Sequence, residues 1–179
     1  GLVLVRQSDL GIDPPPETGT TFLENALIKA RNAARISGLP AIADDSGIEV
    51  DALGGGPGVH SARFAGENAS DEDNLAKLLA ELEGMQRPAR GARYRCVIVY
   101  VGNADDPGPL IGEGTWEGEI IPERRGSGGF GYDPSFVPVG ETRTVAEMSA
   151  EEKNAASHRG QAMRAFLEQL KLSQPSRTP

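Results

Sequence analysis

The sequence predicts an α/β fold, and three observations carry that expectation. Apolar, β-branched runs recur along the chain, the clearest being Tyr94 to Val101. Helical patterns with cap residues at their starts lie between or after these runs. The length of 179 residues suits one domain with a sizeable core, and 38% hydrophobic with 25% charged residues fits a globular chain. The 23 glycines and 13 prolines imply many turns between the elements.

In order, Gly1 to Gln7 contains a strand-like Leu2-Val3-Leu4-Val5. Asp13-Pro14-Pro15-Pro16-Glu17-Thr18-Gly19 is an extended connector, because successive prolines favour polyproline geometry. Thr21 and Glu24 form a capping box that opens a helix with an apolar stripe of Leu23, Leu27, Ala30 and Ala34, stopped at Gly38. Asn25, Lys29 and Asn32 line a different face, and on spacing alone Lys29 is a solvated lysine. Leu39 to Ala43 reads as a buried strand, and Ile48 to Ala52 alternates as a second, half-exposed one. Gly54-Gly55-Gly56-Pro57-Gly58 is a structural loop without the Gly-Lys-Ser/Thr ending of a phosphate loop. Ser70 caps a packing helix to about Glu83, with Leu75, Leu78, Leu79 and Leu82 on one face and Gly84 as its stop. Asp71, Glu72 and Asp73 suit the positive end of its dipole. After Tyr94–Val101 and a turn from Asn103 to Pro109, Leu110 to Ile121 reads as one or two hairpin strands interrupted by Gly112, Gly114 and Gly118. Ser149 and Glu152 make another capping box. Ser157 caps a final helix whose stripe is Met163, Phe166, Leu167 and Leu170, and Ser173 to Pro179 is a frayed tail.

The formal charge of −8 argues against non-specific nucleic-acid binding, which depends on Lys and Arg neutralising phosphates. A small anion held by a few local cations stays open. No apolar run has the length of a membrane span and no signal peptide is visible. The single Cys96 cannot form an internal disulfide, which points to a reducing, intracellular setting.

Three stretches carry candidate chemistry. Ala43-Asp44-Asp45-Ser46-Gly47 places two carboxylates at a strand end, where burial without partners is costly. Ser46 and Gly47 allow a sharp turn, so the pair is either a solvated turn or an acidic group aimed into a cleft. In Arg125 to Pro134, glycines flank Phe130 and leave its ring open to a flat partner, with Asp133 placed to accept from the edge of a base. The alternative is a Gly-rich turn whose Phe plugs the core. In Glu152-Lys153-Asn154 with Ser157-His158-Arg159-Gly160, His158 and Arg159 sit at a helix start that favours acceptors and anions. Lys153 is a point charge suited to phosphate, or simply a solvated one. The lack of a His or Cys pair at ligand spacing argues against zinc, whereas the oxygen ligands Glu17, Asp44 and Asp45, with water and phosphate, suit Mg²⁺.

Thr21-Phe22-Leu23-Glu24-Asn25-Ala26, Ala43-Asp44-Asp45-Ser46-Gly47, Leu53-Gly54-Gly55, Pro57-Gly58 with Ser61-Ala62-Arg63, Gly128 to Pro134, and Glu152-Lys153-Asn154 with Ser157 to Ala162 together resemble the inosine triphosphate pyrophosphatase family, in its bacterial form. The matches follow the family's order over nearly the whole chain. The resemblance implies Mg²⁺-dependent hydrolysis of noncanonical purine nucleoside triphosphates (ITP, dITP, XTP) to the monophosphate and pyrophosphate by a cytoplasmic homodimer. It implies Asp45 as proton acceptor and metal ligand, Asp44 and Glu17 as further metal carboxylates, and Ser46 as a substrate contact. Phe130, Gly131, Tyr132 and Asp133 would take the base, Lys153 and Lys29 the phosphates. His158 and Arg159 would face the purine 6-position, where a carbonyl accepts from donors and the amino group of adenine does not. The expected architecture is an elongated, twisted mixed sheet flanked by helices, in two lobes with the cleft between them. Residues 1–179 read as one such domain, with the family's opening strand and Ser/Thr-x-Asn-x-x-Lys loop missing ahead of Gly1. On that account the alternative function is a catalytically silent purine-nucleotide-binding protein.

Overall fold

The computed structural model describes residues 3–86 and 89–173. Its frame is four strands, β1 (Ala41–Val50), β2 (Gly91–Val101), β3 (Leu110–Ile120) and β4 (Phe136–Pro138). They pair in chain order, each antiparallel to the next. Helices α1 (Phe22–Ser37), α2 (Asp71–Glu81), α3 (Ala150–Ala156) and α4 (His158–Ser173) flank them. The α/β class and the helix-flanked sheet are borne out. The expected mixed pairing is corrected to antiparallel throughout these four strands, since each strand returns beside its predecessor rather than crossing over.

Alternation along the strands sorts the core onto two faces. On one, Val97, Val99 and Val101 of β2 meet the small stripe Ala26, Ala30 and Ala34 of α1. On the other, Ile48, Val50, Tyr94, Trp116 and Phe136 receive Leu75 and Leu78 of α2 and Leu82 just after it. Beside them, Cys96 and Ile98 receive Ala162 and Phe166 of α4. The expected capping boxes at Thr21 and Ser149 form, the cap at Ser70 proves to be a box with Asp73, and Gly38 closes α1 in the left-handed conformation. Ser157 Oγ accepts from Gly160 N at 3.1 Å, so it does open α4.

Four local expectations are corrected. Val3 to Arg6 is not a strand; no neighbour pairs with it, and Val3 and Leu4 stay exposed. Gly1, Leu2 and residues 174–179 lie outside the described residues. The two strands around Asp44-Asp45 are one continuous strand, β1, with Asp45 opposite Val97. Gly47 serves close approach rather than a turn: a Cβ there would meet Gly58 O and Ser61 Oγ. Likewise β3 is unbroken, and at Gly112 and Gly114 a Cβ would run into the backbone of α4. The buried stripe of α4 is His158, Ala162 and Phe166, while Met163 and Leu167 face outward. Ala162 wins the central position because the helix lies so close over two glycines.

Candidate active site

Asp45 projects from β1 toward α1, and only 7% of it is exposed. Asn25 and Lys29 stand one turn apart on α1 and therefore on one side of it. The buried amide of Asn25 donates to Asp45 Oδ2 at 3.3 Å and accepts from Gly19 N at 2.8 Å. Lys29 Nζ donates to Asp45 Oδ1 at 2.7 Å and to Glu17 Oε1 at 3.0 Å. Arg63, at the end of the 3-10 segment Gly58–Arg63, donates to Glu17 Oε2 at 3.0 Å. Two carboxylates and two cations thus interlock on the α1 face.

Burial holds the Asp45 carboxyl above its ordinary value, and the negative charge of Glu17 adds to this against the pull of Lys29. Burial works to raise Glu17 as well, but its hydrogen bonds to Lys29 and Arg63 outweigh burial and lower it. Burial opposes the charge on Lys29, yet its two carboxylate partners keep the ammonium more firmly protonated than usual. Lys29 is therefore not the solvated lysine that helical spacing suggests.

The opposite face carries a second group. Asp44 Oδ2 accepts from Arg159 Nη2 at 3.0 Å and Nε at 3.2 Å, and Ser46 Oγ lies 3.1 Å from the same Nη2. Asp133 is buried at the centre of a further cluster. Its Oδ1 accepts from the Tyr94 hydroxyl at 3.0 Å, and its Oδ2 accepts from Phe130 N at 2.9 Å and from Lys153 Nζ. Gly129, at φ 75°, allows this closure, since a Cβ there would collide with the Asp133 carboxylate. Phe130 itself is 58% exposed, with Lys153 Nζ 4.1 Å from its ring centre. The glycines do leave its ring open. His158 is buried and stacks on Tyr94 with ring centres 4.7 Å apart. Burial, with the charges of Arg159 and Lys153, pushes its pKa down to about 3, so the imidazole is neutral. Its Nδ1 is buried without a protein partner.

The geometry narrows what three of the expected residues can offer. The carboxylates of Asp44 and Asp45 do not converge, because neighbours on a strand point to opposite faces, and Arg159 occupies that of Asp44. The side chain of Tyr132 is committed to the core, its hydroxyl donating to Ser61 O at 2.7 Å, which leaves only its backbone to offer a ligand. His158, being neutral, has one donor nitrogen, which is what a part facing a carbonyl requires. Gly131 N is held by Asp71 of α2 at 2.8 Å. Asn25, Arg63, Tyr94 and Asp71 are site-building residues to which sequence reading assigned no such part. For Asn25 a signal existed in its four-residue spacing from Lys29; for Tyr94 there was none.

Among the described residues no three His, Cys, Asp or Glu side chains converge as a metal centre. Glu17 Oε1 and Asp45 Oδ1 nevertheless share one cation, the Lys29 ammonium. Two such oxygens fit a Mg²⁺ completed by water and phosphate.

A family model described as the Ham1 family matches residues 3–169. A dITP/XTP pyrophosphatase of Methylococcus capsulatus is 60% identical over 171 residues, covering 96% of this chain and 85% of that protein. One from Shigella flexneri is 55% identical, covering 96% and 87%. Among solved structures, a HAM1 protein from Coxiella burnetii superposes with a TM-score of 0.89 at 49% identity, covering 93% of this chain and 85% of its own. A nucleoside-triphosphatase from Mycobacterium abscessus, also titled dITP/XTP pyrophosphatase, gives 0.75 at 46%, covering 88% and 80%.

Proposed function

The chain belongs to the Ham1 family, and from that premise we propose that it hydrolyses noncanonical purine nucleoside triphosphates such as dITP, ITP and XTP to the monophosphate and pyrophosphate. The observation that carries this reading is Asp45. It is a buried carboxylate with a raised proton affinity, braced by Asn25 and Lys29, on a strand whose other face presents Arg159. A carboxylate of ordinary pKa, about 3.9, is a weak base toward water. Raising it improves the match to proton abstraction.

In the reaction Asp45 takes a proton from a water that attacks the α-phosphorus, and the bond to the β-phosphate breaks to release pyrophosphate. Lys29 and Arg63 supply positive charge near the phosphates, with Glu17 holding both in place. Asp45 and Glu17 would hold a Mg²⁺, which would supply charge neutralisation at the phosphates and a more acidic water. The base stacks on the open ring of Phe130, a contact worth about 1–3 kcal/mol. Lys153 beside that ring serves the phosphates or the base edge, and Asp133 holds Lys153 and the Phe130 backbone in register. The purine 6-carbonyl meets Arg159 and the donor nitrogen of His158, while Ser46 contacts the substrate beside Asp45. The reading extends to a cytoplasmic homodimer. The free, buried Cys96 suits a reducing compartment, and the exposed Met163 and Leu167 of α4 offer apolar surface to a second copy.

The test is pyrophosphate release from ITP, XTP, GTP and ATP, with and without Mg²⁺. ITP and XTP are expected to be turned over far faster than ATP. Asp45→Asn is expected to lower kcat by about 10²–10⁴ with an unchanged circular-dichroism spectrum. Absence of ITP hydrolysis by the wild type, or turnover retained in Asp45→Asn, rejects the assignment.

A further inference from the structure

The two carboxylates of the Asp44-Asp45 pair do different work, and the partners of Asp44 say what its work is. Arg159 lies at the start of α4, on the sheet face opposite Asp45. Two of its three nitrogens are occupied: Nε and Nη2 both bind Asp44 Oδ2, and Nη2 also binds Ser46 Oγ. The guanidinium also neighbours Cys96, and 47% of the side chain stays exposed, so part of the fork is open to a ligand. The next residue, His158, stacks on Tyr94, whose hydroxyl holds Asp133, and Asp133 holds both Lys153 and the Phe130 backbone. Arg159 is thereby joined to the open aromatic ring through a continuous series of contacts.

We propose that Asp44 is a positioning and specificity-determining residue that acts through Arg159, not a metal ligand. An arginine fork anchored on one edge has its other edge fixed in direction. The ion pair also carries no net charge. An unpaired guanidinium near a triphosphate would be drawn to phosphate oxygens, whose attraction far exceeds that of a neutral carbonyl. Neutralised by Asp44 and tethered to Ser46, Arg159 is held back as a hydrogen-bond donor for an uncharged acceptor, such as the 6-carbonyl of a purine. The amino group of adenine in that place would face a donor and strand both groups. This inference rests on the pyrophosphatase reading and names the residue that sharpens its base preference.

The experiment compares wild type, Asp44→Asn, Arg159→Ala and the double variant in two assays. The first is binding of IMP and AMP by calorimetry in EDTA, without metal or turnover. Asp44→Asn is expected to weaken IMP roughly tenfold and leave AMP within about twofold, closing the gap between them. The double variant is expected to bind IMP no worse than Arg159→Ala, because the two residues act as one unit. The second assay is ITP turnover across a Mg²⁺ titration. Asp44→Asn should raise KM much more than it lowers kcat and leave the half-saturating Mg²⁺ concentration unchanged. A shifted Mg²⁺ requirement with IMP binding intact would assign Asp44 to the metal and overturn the proposal. So would unaltered IMP binding in Asp44→Asn, or additive losses in the double variant. Thermal melts of each variant exclude misfolding. If wild type binds IMP over AMP but releases no pyrophosphate, the hydrolase reading fails while the role of Asp44 is still decided by the binding assay.

Discussion

His158 and Asp45 are both buried and titratable, and their effects on stability run in opposite directions with pH. The folded pKa of His158 is depressed to about 3, so between the unfolded value near 6.5 and that point only the unfolded chain takes up the proton. Its contribution is intact above pH 6.5 and is lost as pH falls, by about 1.4 kcal/mol per unit at full slope. Asp45 is raised, so its carboxyl protonates more readily in the folded state, and its burial penalty is relieved as the solution becomes acidic. Urea denaturation at pH 7 and pH 5 separates them. Wild type is expected to lose about 2 kcal/mol more than His158→Phe over that interval, since Phe keeps the stack on Tyr94 without a titrating nitrogen. At this scale the candidate residues were legible from their types and neighbours, but their partners were not. Nothing in the string says that Lys29 reaches Asp45, because helical spacing orders residues within α1 and is silent on what α1 faces.

Among the elements, the glycines of β3 decide where α4 lies. Gly112 and Gly114 present no side chain to the helix, and a Cβ at Gly114 would collide with His158 O and lie 2.6 Å from Ala162 N. These contacts are with helix backbone, which cannot rotate aside. Gly114→Ala is expected to destabilise the fold by about 2–4 kcal/mol in urea unfolding, and to weaken purine binding by shifting His158 and Arg159. Read along the sequence, these glycines look like breaks in a strand. They are sites of close approach, a meaning that only the packed helix supplies. Caps behave differently, because their chemistry is local. Thr21 accepts from Glu24 N at 3.2 Å, and Glu24 reaches back to Thr21 N at 3.1 Å. Thr21→Ala is expected to cost about 1 kcal/mol in the same measurement, a smaller loss than at Gly114.

For the molecule as a whole, the sheet acts as a partition. The carboxylates and cations of Asp45, Glu17, Lys29 and Arg63 stand on the α1 face, while Arg159, His158 and the Phe130 cluster stand on the α4 face. Among the described residues β1 is an end strand of the sheet, with β2 on one side and a single bridge from Glu49 to Pro57 on the other, so a ligand touching both groups spans it. The shared ammonium of Lys29 balances two negative charges on the first face. Lys29→Met removes that cation and leaves Glu17 and Asp45 facing each other, with Arg63 still on Glu17. Its melting temperature is expected to fall without divalent ions and to recover on adding Mg²⁺. A hundredfold excess over Kd supplies about 2.7 kcal/mol, or roughly 5–10 °C for a domain of this size. Wild type is expected to respond less. Differential scanning fluorimetry over a Mg²⁺ series checks this, and an identical response of the two proteins would separate the carboxylates from metal binding.

What is local can be read along the chain: the capping boxes at Thr21 and Ser149, the helix stop at Gly38, the strand at 94–101, and most of the residues from which the site is made. Periodicity and cap chemistry act within a few residues, so they can be read along a string. The string does not say that Asp44 and Asp45 lie on one unbroken strand and face opposite ways. The pair looks like one acidic turn in sequence, yet the pleat sends Asp45 to Lys29 and Asn25 and Asp44 to Arg159. Tertiary packing brings this about, because the partners are 16, 20 and 115 residues away and meet these carboxylates solely through the packing of α1 and α4 on the sheet.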